Sequence, residues 1–575
     1  SNAYAIDTKS PTATIELDVD RLKAGETATV SITFSETPAA LPVITPSAGE
    51  LSALTQDSDN PLRYTATLTP PENTNSGEIT FEVGEWTDAL GNPGVATSAA
   101  GGGISGVDLA FGGGDGVALL NDAAYAFGYA VAIQTDGKVI VGGTINNGSG
   151  SDYTLVRFNE DGTLDSDFGI EGQVITDLAG GAYSGESVRS VKVQSDGKIV
   201  VAGSYVSSDP DEQGNTYFTV LRYNADGTLD EDFAGGQGAV RTLVAASANS
   251  YGYYGYGNSA NNIILQGDKV IVVGLASVTD QDYNTDLKLI LTRYNSDGSL
   301  DGDFGAAGIK TVNYLSNYYG DMMDGGGTTS VVVTQDGGIL VLASAGYSGE
   351  TKLFAFDANG ELDTGFSGDG VVETGVGYAS YDSRPSLALQ ADGKVVVAAS
   401  VYGVSNTDFG LSRYNADGSV DSSFGTNGQV LTDISNDSYD LTQKVFVQDD
   451  GKIVVYGSFY DTVTFTQKLV LVRYDDAGQL DTSFGDNGRL LNDLQIYSYS
   501  GYGGSSTENV AVGDDGSLYV AGYIYDNGYS DSDIAVAKFG VAAADLPAVT
   551  IDTLRPSATI ELDDTALKAG ETATV

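Results

Sequence analysis

The sequence predicts an all-β protein in which an antiparallel β-sandwich is followed by a seven-bladed β-propeller. Short alternating apolar stretches such as "ATIELD", "ATVSITFSE" and "ITFEVGEW", separated by turn residues, are typical of a sandwich. Seven copies of a longer unit follow, and most of them contain four strand-like stretches. A closed ring of four-stranded units is a propeller, so the repeat predicts that fold.

The composition excludes several classes of function. The 575 residues include 27 Lys and Arg against 78 Asp and Glu, a net charge of −51. Such a surface repels phosphates and anionic lipid, so neither a nucleic acid partner nor membrane insertion is expected. The chain has no Cys and no His. Disulfides, thiolate or imidazole metal sites, cysteine nucleophiles and Ser-His-Asp triads are therefore excluded. Only carboxylate or tyrosine catalysis remains, and because no motif supports it, the chain is predicted not to be an enzyme.

A second repeat links the two ends of the sequence. The stretch Ile6–Val30 returns as Ile551–Val575, with 19 of 25 positions identical. We therefore expect a sandwich over residues 4–100, a propeller over 105–541, and a linker with the truncated start of a second sandwich over 546–575. About 25 residues do not close a sandwich core, so this last segment is expected to be extended, poorly packed or paired with another chain. The opening "SNA" is interpreted as the remnant of an expression tag.

The sandwich segment resembles a known type of domain. "LKAGETATVSITFSE", followed by "TDALGNPG" near the domain end, is similar to the bacterial Ig-like repeats of large surface adhesins. In related tandem domains, acidic side chains at the joints hold Ca²⁺, a cation that prefers oxygen ligands. The resemblance implies Ca²⁺ as the one cofactor to consider, held by Asp7, Asp88, Asn92 and Asp552. Solvated acidic linkers are the alternative interpretation of these residues.

The propeller units share a strand, an Asp-Gly turn and a second strand, as in "VQSDGKIVVAG". The seven copies begin at residues 133, 193, 265, 333, 389, 447 and 512. The whole unit resembles the delta-type repeats of about sixty residues found in bacterial propeller proteins. The last unit lacks its fourth strand, and "VDLAFGGGDGVALL" (Val107–Leu120) matches the fourth-strand pattern. This N-terminal strand is therefore predicted to close the last blade and to remove two exposed sheet edges.

The stretch "NADGTLDEDF" (Asn224–Phe233) has three interpretations: a hairpin turn, a calcium loop or a pair of catalytic carboxylates. It recurs in six of the seven units, and its glycine is misplaced for an EF-hand loop. Asp-Gly between strands favours a hairpin in which both turn residues have positive φ. The in-phase aspartates that follow are expected to accept hydrogen bonds from backbone amides and to hold the outer strand. They are Asp165, Asp230, Asp301, Asp363, Asp421 and Asp481.

The loops on the other face of the propeller are long, variable and rich in Tyr, Ser, Gly and Asn. This is the composition of adaptable recognition loops, in which tyrosine gives a large amphipathic contact. The predicted ligand-binding residues are Tyr251, Tyr253, Tyr254, Tyr256, Tyr318, Tyr319, Tyr378, Tyr381, Tyr497, Tyr499, Tyr502 and Tyr525. The same composition also fits solvated connectors, and the central channel of the ring is a further candidate site.

These observations favour an extracellular adhesion module at the bacterial surface. A monomeric propeller within a longer chain would be the binding head, the Ig-like repeats its stalk, and a glycan or a cell-surface protein its ligand. A structural spacer in a giant surface protein is the alternative. A glycosidase or lyase would need two carboxylates on either side of the scissile bond. The variable loops offer Asp209, Asp211, Asp321, Asp324, Asp382 and Asp531 for that role.

Overall fold

The computed structural model describes the chain in segments between residues 12 and 540. These are 12–17, 27–35, 37–46, 50–57, 60–69, 81–83, 87, 95–97, 108, 111–113, 116–120, 125–146, 150–178, 185–206, 216–245, 259–279, 285–315, 328–344, 351–375, 384–402, 406–434, 439–448, 450–461, 466–485, 487–492, 494, 496–497, 508–513, 516–526 and 531–540. The chain divides into a smaller unit, which contains the strands up to residue 97, and a larger unit, which contains those from residue 117 onward. The predicted domain limits stay predictions, and the segment 546–575 lies outside the described residues.

The smaller unit contains eight described strands. They are β1 (Thr12–Leu17), β2 (Ala28–Phe34), β3 (Ile44–Pro46), β4 (Glu50–Leu51), β5 (Thr55–Gln56), β6 (Arg63–Thr69), β7 (Phe81–Val83) and β8 (Val95–Thr97). One sheet has the order β4-β6-β2-β1-β8, with β5 also on β6, and β3 pairs with β7. Alternate residues of β2, such as Val30, Ile32 and Phe34, are fully buried together with Leu68 of β6. This period of two is what a strand with one buried face requires.

The larger unit contains the remaining strands, which follow a 3-10 turn at Phe111–Gly113. The first group is β9 (Val117–Leu119), β10 (Tyr125–Ile133), β11 (Val139–Asn146), β12 (Ser151–Phe158), β13 (Gln173–Thr176), β14 (Gly185–Val193), β15 (Ile199–Val206), β16 (Thr216–Tyr223), β17 (Ala239–Ala245), β18 (Ser259–Gln266), β19 (Lys269–Thr279), β20 (Thr285–Tyr294) and β21 (Ile309–Leu315). The second group is β22 (Thr328–Val333), β23 (Ile339–Ser344), β24 (Thr351–Phe356), β25 (Val371–Glu373), β26 (Ser386–Leu389), β27 (Val395–Tyr402), β28 (Thr407–Tyr414), β29 (Gln429–Thr432), β30 (Asp440–Val447), β31 (Ile453–Asp461), β32 (Thr466–Tyr474), β33 (Arg489–Asn492), β34 (Val510–Val512), β35 (Leu518–Asp526) and β36 (Asp531–Phe539).

From β10 onward these strands form successive antiparallel groups of four, and β9 joins the last group. Among the described strand residues, one pair, Ser151 with Gly185, links the ladder of the first group to that of the second. We number the groups from β10–β13, the first unit, to β34–β36 with β9, the seventh. Neighbouring units pack their apolar faces together: one buried cluster joins Leu155 of the first unit to Val188 of the second, and another joins Val536 of the seventh to Val141 of the first. The last unit is therefore in contact with the first.

The N-terminal strand closes the last unit, as the sequence predicts. In the antiparallel pairing of β9 with β36, Leu119 is opposite Ala535 and Val117 is opposite Ala537. The amide of Leu120 extends the ladder by donating to the carbonyl of Ile534 at 3.0 Å. Residues from near the start of the propeller thus hydrogen-bond to residues near its end.

The Asp-Gly turns differ from the predicted geometry in one respect. Gly227 has a φ of +89°, but its neighbour Asp226 does not have positive φ. The amide of Gly227 donates to Asn224 O at 3.0 Å, and the amide of Asn224 donates to Thr228 O at 2.8 Å. This is a tight turn with a single left-handed glycine rather than a turn with two such residues. The Asp226 carboxylate accepts hydrogen bonds from the amide and the hydroxyl of Thr228, so the turn interpretation of this stretch is confirmed.

The recurring aspartates hold the outer segment as expected and also form ion pairs. In all six units the Oδ1 atom accepts a hydrogen bond from the amide two residues later, as from Asp303 to Asp301 at 3.2 Å. In the third unit, Asp301 Oδ2 also lies 2.7 Å from Arg293 Nε and 2.6 Å from Lys269 Nζ. Equivalent Arg–Asp–Lys groups occur in the first, second, fifth and sixth units. In the first, second, third and fifth units the arginine also donates to a carbonyl of the following unit, for example Arg293 to Ala358.

Candidate functional site

Two of the predicted ligand-binding tyrosines, Tyr497 and Tyr525, are among the described residues, and the structure brings them together. Their ring centroids are 5.4 Å apart. The other ten lie outside the described residues, as do all four predicted calcium ligands. The ten are Tyr251, Tyr253, Tyr254, Tyr256, Tyr318, Tyr319, Tyr378, Tyr381, Tyr499 and Tyr502; the four are Asp7, Asp88, Asn92 and Asp552.

Both tyrosines belong to a group of five aromatic residues that we call the aromatic cluster. Its other members are Phe127 and Tyr129 of β10 and Tyr523 of β35. Tyr523 is the centre: its ring lies 4.8 Å from Phe127, 5.9 Å from Tyr497 and 5.3 Å from Tyr525. Phe127 stacks on Tyr129 with an interplanar angle of 4° and a centroid distance of 6.5 Å. The cluster thus spans the junction between the seventh unit and the first.

The backbone fixes the position of the cluster. Tyr497 and Tyr523 exchange two backbone hydrogen bonds of 2.8 Å, so Tyr497 lies beside β35 as a short antiparallel bridge. Phe127 lies near the start of β10, whereas Tyr523 and Tyr525 lie near the end of β35. Consecutive strands run in opposite directions, so the start of a first strand and the end of a second strand share one face. This is the face on which the long variable loops are expected.

The cluster has a buried base and a partly exposed rim. Tyr129 and Tyr523 are buried, with 5% and 3% of their surface exposed, whereas Phe127, Tyr497 and Tyr525 are partly exposed. Burial raises the pKa of the Tyr523 hydroxyl, and the neighbouring Tyr525 raises it further. The cluster presents ring faces with hydroxyl groups, which suits a ligand with both apolar faces and polar edges.

A cation lies against the buried end of the cluster. The guanidinium carbon of Arg189, on β14, is 5.2 Å from the centroid of the Tyr129 ring. Arg189 is 5% exposed and occupies a β-bulge between Val188 and Ser190. Burial lowers the pKa of this guanidinium, but arginine remains charged in proteins. Sequence reasoning missed Arg189, because the equivalent bulge residue in the first unit is Tyr129 and the position has no repeated residue type.

Within the described part of the chain, two groups of carboxylates have the donor chemistry for a hard cation. The first contains Asp152, Asp177 and Glu186, and the second contains Asp408, Asp433 and Asp440. In each group the three residues offer carboxylate oxygens that lie within 4.8 Å of one another. The groups occupy equivalent places, at the junctions of the first with the second unit and of the fifth with the sixth. Oxygen ligands of this kind suit Ca²⁺.

Repulsion between the carboxylates of the second group should lower the free energy of unfolding by a measurable amount. Burial, and then the charge of Asp433, raise the pKa of Asp408 above its ordinary value. A raised pKa means that the folded state binds the proton more tightly than the unfolded state does. The stability that comes from proton binding is therefore present at acidic pH and is lost as pH rises through the folded-state pKa. We expect Asp408→Asn to raise the free energy of unfolding at pH 7 by about 1 kcal/mol in the presence of a chelator.

The check is a pair of urea titrations, at pH 7 and near pH 4, on the wild-type chain and on two variants. Asp167→Asn is the matched control, because Asp167 is an exposed acid outside both carboxylate groups. The increase in the free energy of unfolding caused by Asp408→Asn should shrink toward pH 4, whereas the change caused by Asp167→Asn should be near zero at both pH values. A loss of stability at pH 7 would contradict the repulsion between Asp408 and Asp433.

The fold and these sites define the class of protein: an all-β chain with an Ig-like sandwich and a β-propeller. Comparison with protein families also finds these two domains, and it confirms the resemblances to bacterial Ig-like repeats and to propeller repeats. Residues 7–102 match the bacterial Ig-like domain family, and residues 134–168, 194–233, 266–304, 390–424 and 448–484 match a β-propeller domain of unknown function, DUF5122. The chain thus combines a bacterial Ig-like domain with a propeller built from DUF5122 repeats. No curated protein matches the chain.

The solved structures to which the chain is similar include carbohydrate-active enzymes. An ulvan lyase solved with a bound saccharide is 12% identical, with a TM-score of 0.39, and the match covers 73% of this chain and 96% of that one. The Hadza microbial sialidase Hz136 is 11% identical with a TM-score of 0.34, over 68% of this chain and 73% of that one. An endo-arabinanase from Bacillus licheniformis is 14% identical with a TM-score of 0.23, over 50% and 94%.

These neighbours correct one prediction. The chain lacks His and Cys and has no motif for carboxylate catalysis, which predicted that it is not an enzyme, yet its structural neighbours include a sialidase, an endo-arabinanase and a polysaccharide lyase. The prediction is wrong as stated, because carboxylate and tyrosine chemistry needs neither residue. At these identities, and with TM-scores below 0.5, the likeness assigns no activity to this chain. In the described part of the chain, no helix is long and apolar enough to cross a membrane.

Proposed function

We propose that the aromatic cluster is the carbohydrate-binding site of an extracellular adhesion protein of the bacterial surface. The propeller is the binding head, the Ig-like domain belongs to its stalk, and the ligand is a glycan on another surface. One observation carries the proposal: three partly exposed aromatic rings, Phe127, Tyr497 and Tyr525, are held together at the loop-bearing face by contacts with a buried base.

The chemistry of the cluster fits a sugar ring. A pyranose has a face of C–H groups, which packs against an aromatic ring, and an edge of hydroxyl groups, which hydrogen-bond to tyrosine hydroxyls. Tyrosine loses little conformational entropy on binding, because two χ angles define its side chain. In the cluster those angles are further restricted by neighbouring rings at 5.3 to 5.9 Å. A rigid aromatic surface of this kind binds with a smaller entropic penalty than mobile loop residues.

A glycan-array screen of the intact chain, followed by calorimetry on the saccharides it selects, tests the proposal. We expect Tyr525→Ala to weaken binding by about tenfold or more, because the loss of one central aromatic contact is worth about 1–2 kcal/mol. Tyr497→Ala should have a similar effect, since its ring contacts both Tyr523 and Tyr525.

Tyr460→Ala is the matched control. Tyr460 occupies the same strand position in β31 that Tyr525 has in β35, and it is 44% exposed, but it does not belong to the aromatic cluster. Equal affinities for wild-type protein and Tyr525→Ala, or an array without binding, would overturn the proposal. The selected saccharides are also incubated with the protein and checked for new reducing ends and for unsaturated products, which measures hydrolysis and elimination separately from binding.

A further inference from the structure

Three charged side chains from three different units meet inside the ring. Lys192 of β14, in the second unit, donates a hydrogen bond from its ammonium group to the carboxylate of Glu508, which precedes β34 of the seventh unit. The ammonium of Lys444, on β30 of the sixth unit, is 3.8 Å from the same carboxylate. The first unit lies between the second and the seventh, so this contact crosses the interior of the propeller. We call these three residues the axial cluster.

The charges of the axial cluster do not balance, and the excess is positive. Two ammonium groups share one carboxylate, in a chain whose net charge is −51. Burial lowers the pKa of Lys444, and the charge of Lys192 lowers it further, while Glu508 opposes both effects. A second anion beside these ammonium groups would offset the desolvation of Lys444 and the repulsion between the two lysines.

The axial cluster is open to a small polar group. The side chains of Lys192 and Lys444 are 33% and 20% exposed, whereas that of Glu508 is 9% exposed. Next to Glu508 lies Asn509, which is fully buried, and neither its Nδ2 nor its Oδ1 has a hydrogen-bond partner within the described part of the chain. A buried amide without partners is unfavourable by about 1–3 kcal/mol, so a ligand oxygen that accepts from it would be stabilising.

The axial cluster is continuous with the aromatic cluster. The amide of Val131 donates to the carbonyl of Glu508 at 2.9 Å, and Tyr129 lies two residues earlier on the same strand. At about 3.3 Å per residue this separation is about 7 Å. Arg189, which lies over the Tyr129 ring, is three residues from Lys192, or about 10 Å along β14. These distances are within the length of a disaccharide.

We infer that the ligand of the propeller is an acidic saccharide, and that Lys192, Lys444 and Arg189 receive its carboxylate or sulfate group while the aromatic cluster holds its rings. This inference rests on the proposed function and narrows its substrate class. An oxyanion accepts hydrogen bonds from both ammonium groups, and charge-assisted hydrogen bonds are about twice as strong as neutral ones. Glu508 keeps the two lysines in place in the absence of ligand and competes with the oxyanion for them.

The experiment compares each acidic saccharide with its neutral counterpart on the intact chain. The probes are an oligogalacturonate and its carboxyl-reduced form, and a sulfated chondroitin oligosaccharide and its desulfated form, measured by isothermal titration calorimetry. We expect at least one acidic probe to bind about tenfold or more tightly than its neutral counterpart. Lys444→Gln should reduce this ratio to near one, whereas Glu508→Gln should increase it by removing the competing carboxylate. Changes of opposite sign in this affinity ratio for the two variants distinguish an effect on ligand binding from misfolding.

The outcomes separate this inference from the proposed function. Suppose that Tyr525→Ala weakens the binding of every saccharide but Lys444→Gln leaves the ratio of acidic to neutral affinity unchanged. The aromatic cluster would then be a carbohydrate site, and the assignment of its ligand to the acidic saccharides would be wrong. If no saccharide binds, the proposed function fails together with this inference. Sodium sulfate and sodium acetate are titrated as free anions; binding of these salts that Lys444→Gln abolishes, without binding of either acidic probe, would overturn the assignment to a saccharide.

Discussion

Replacing Asp301 by alanine is expected to lower the free energy of unfolding of the propeller by about 3–5 kcal/mol. Its side chain is 6% exposed and pairs with Arg293 and Lys269, and the Arg293 guanidinium lies 4.6 Å from the centroid of the Phe304 ring. Removing the carboxylate leaves a buried guanidinium without its anion. Because Arg293 also donates to the carbonyl of Ala358, the destabilisation should extend to the junction between the third and fourth units. Thermal and urea unfolding followed by circular dichroism measure the effect.

The fourth unit supplies the control for this substitution. Asp363 is its equivalent aspartate, but Ala355 and Gly338 stand where the third unit has Arg293 and Lys269, and Asp363 is exposed. Asp363→Ala should therefore change the free energy of unfolding by less than about 1 kcal/mol. Similar losses for both variants would show that the ion pairs contribute little and that the turn hydrogen bonds matter.

The same residue sets an expected pH dependence. Hydrogen bonding from Lys269 is the largest influence on the carboxyl of Asp301 and lowers its pKa to about 2. A lowered pKa contributes stability that is fully present above the unfolded-state value, about 3.9, and is lost as pH falls through the folded-state value. The difference in stability between wild-type protein and Asp301→Ala should therefore shrink between about pH 4 and pH 2.

The second large effect comes from the strand that closes the ring. A disulfide between Leu119→Cys and Ala535→Cys should form readily, because these residues are opposite each other on β9 and β36, within the distance that a disulfide requires. The chain has no other cysteine, so no competing disulfide exists. The bond would close a loop of more than 400 residues, and the chain-entropy argument gives up to about 6 kcal/mol of stabilisation.

A shifted pair tests the register of this closure. Ala118→Cys with Ala535→Cys moves one cysteine by one position, which turns its side chain to the opposite face of the strand. We expect no rapid oxidation of this pair and no rise in the unfolding temperature, measured with and without reductant. Faster oxidation of the shifted pair than of the Leu119 and Ala535 pair would contradict the observed register.

The sequence predicted those features that recur in phase. The closing strand could be found because Val107–Leu120 carries the fourth-strand pattern of the repeat, and the role of Asp301 and its equivalents could be inferred because they follow a turn at a fixed spacing. The Arg and Lys partners of these aspartates also recur, in "LTRYNSDGSLD" and in "QSDGK", so the ion pairs were detectable but were missed. The turn geometry was misjudged because an Asp-Gly pair fits two kinds of hairpin.

The candidate sites depend on features that do not recur. Lys192, Lys444 and Glu508 each have a different residue type at the equivalent position of the other units, and they meet only because the ring brings the second, sixth and seventh units together. Tyr497 and Tyr525 were predicted from loop composition, although Tyr525 lies in β35. Their partners Phe127, Tyr129 and Tyr523 also lie in strands, where aromatic residues are ordinarily attributed to the core.

A crystal structure of the intact protein with the tightest-binding saccharide from the array is the most direct test of carbohydrate recognition by the propeller. We expect a sugar ring packed against Tyr497 and Tyr525, with an acidic group directed toward Lys192 and Lys444. A saccharide bound on the Ig-like domain, or on a part of the propeller remote from these residues, would contradict it.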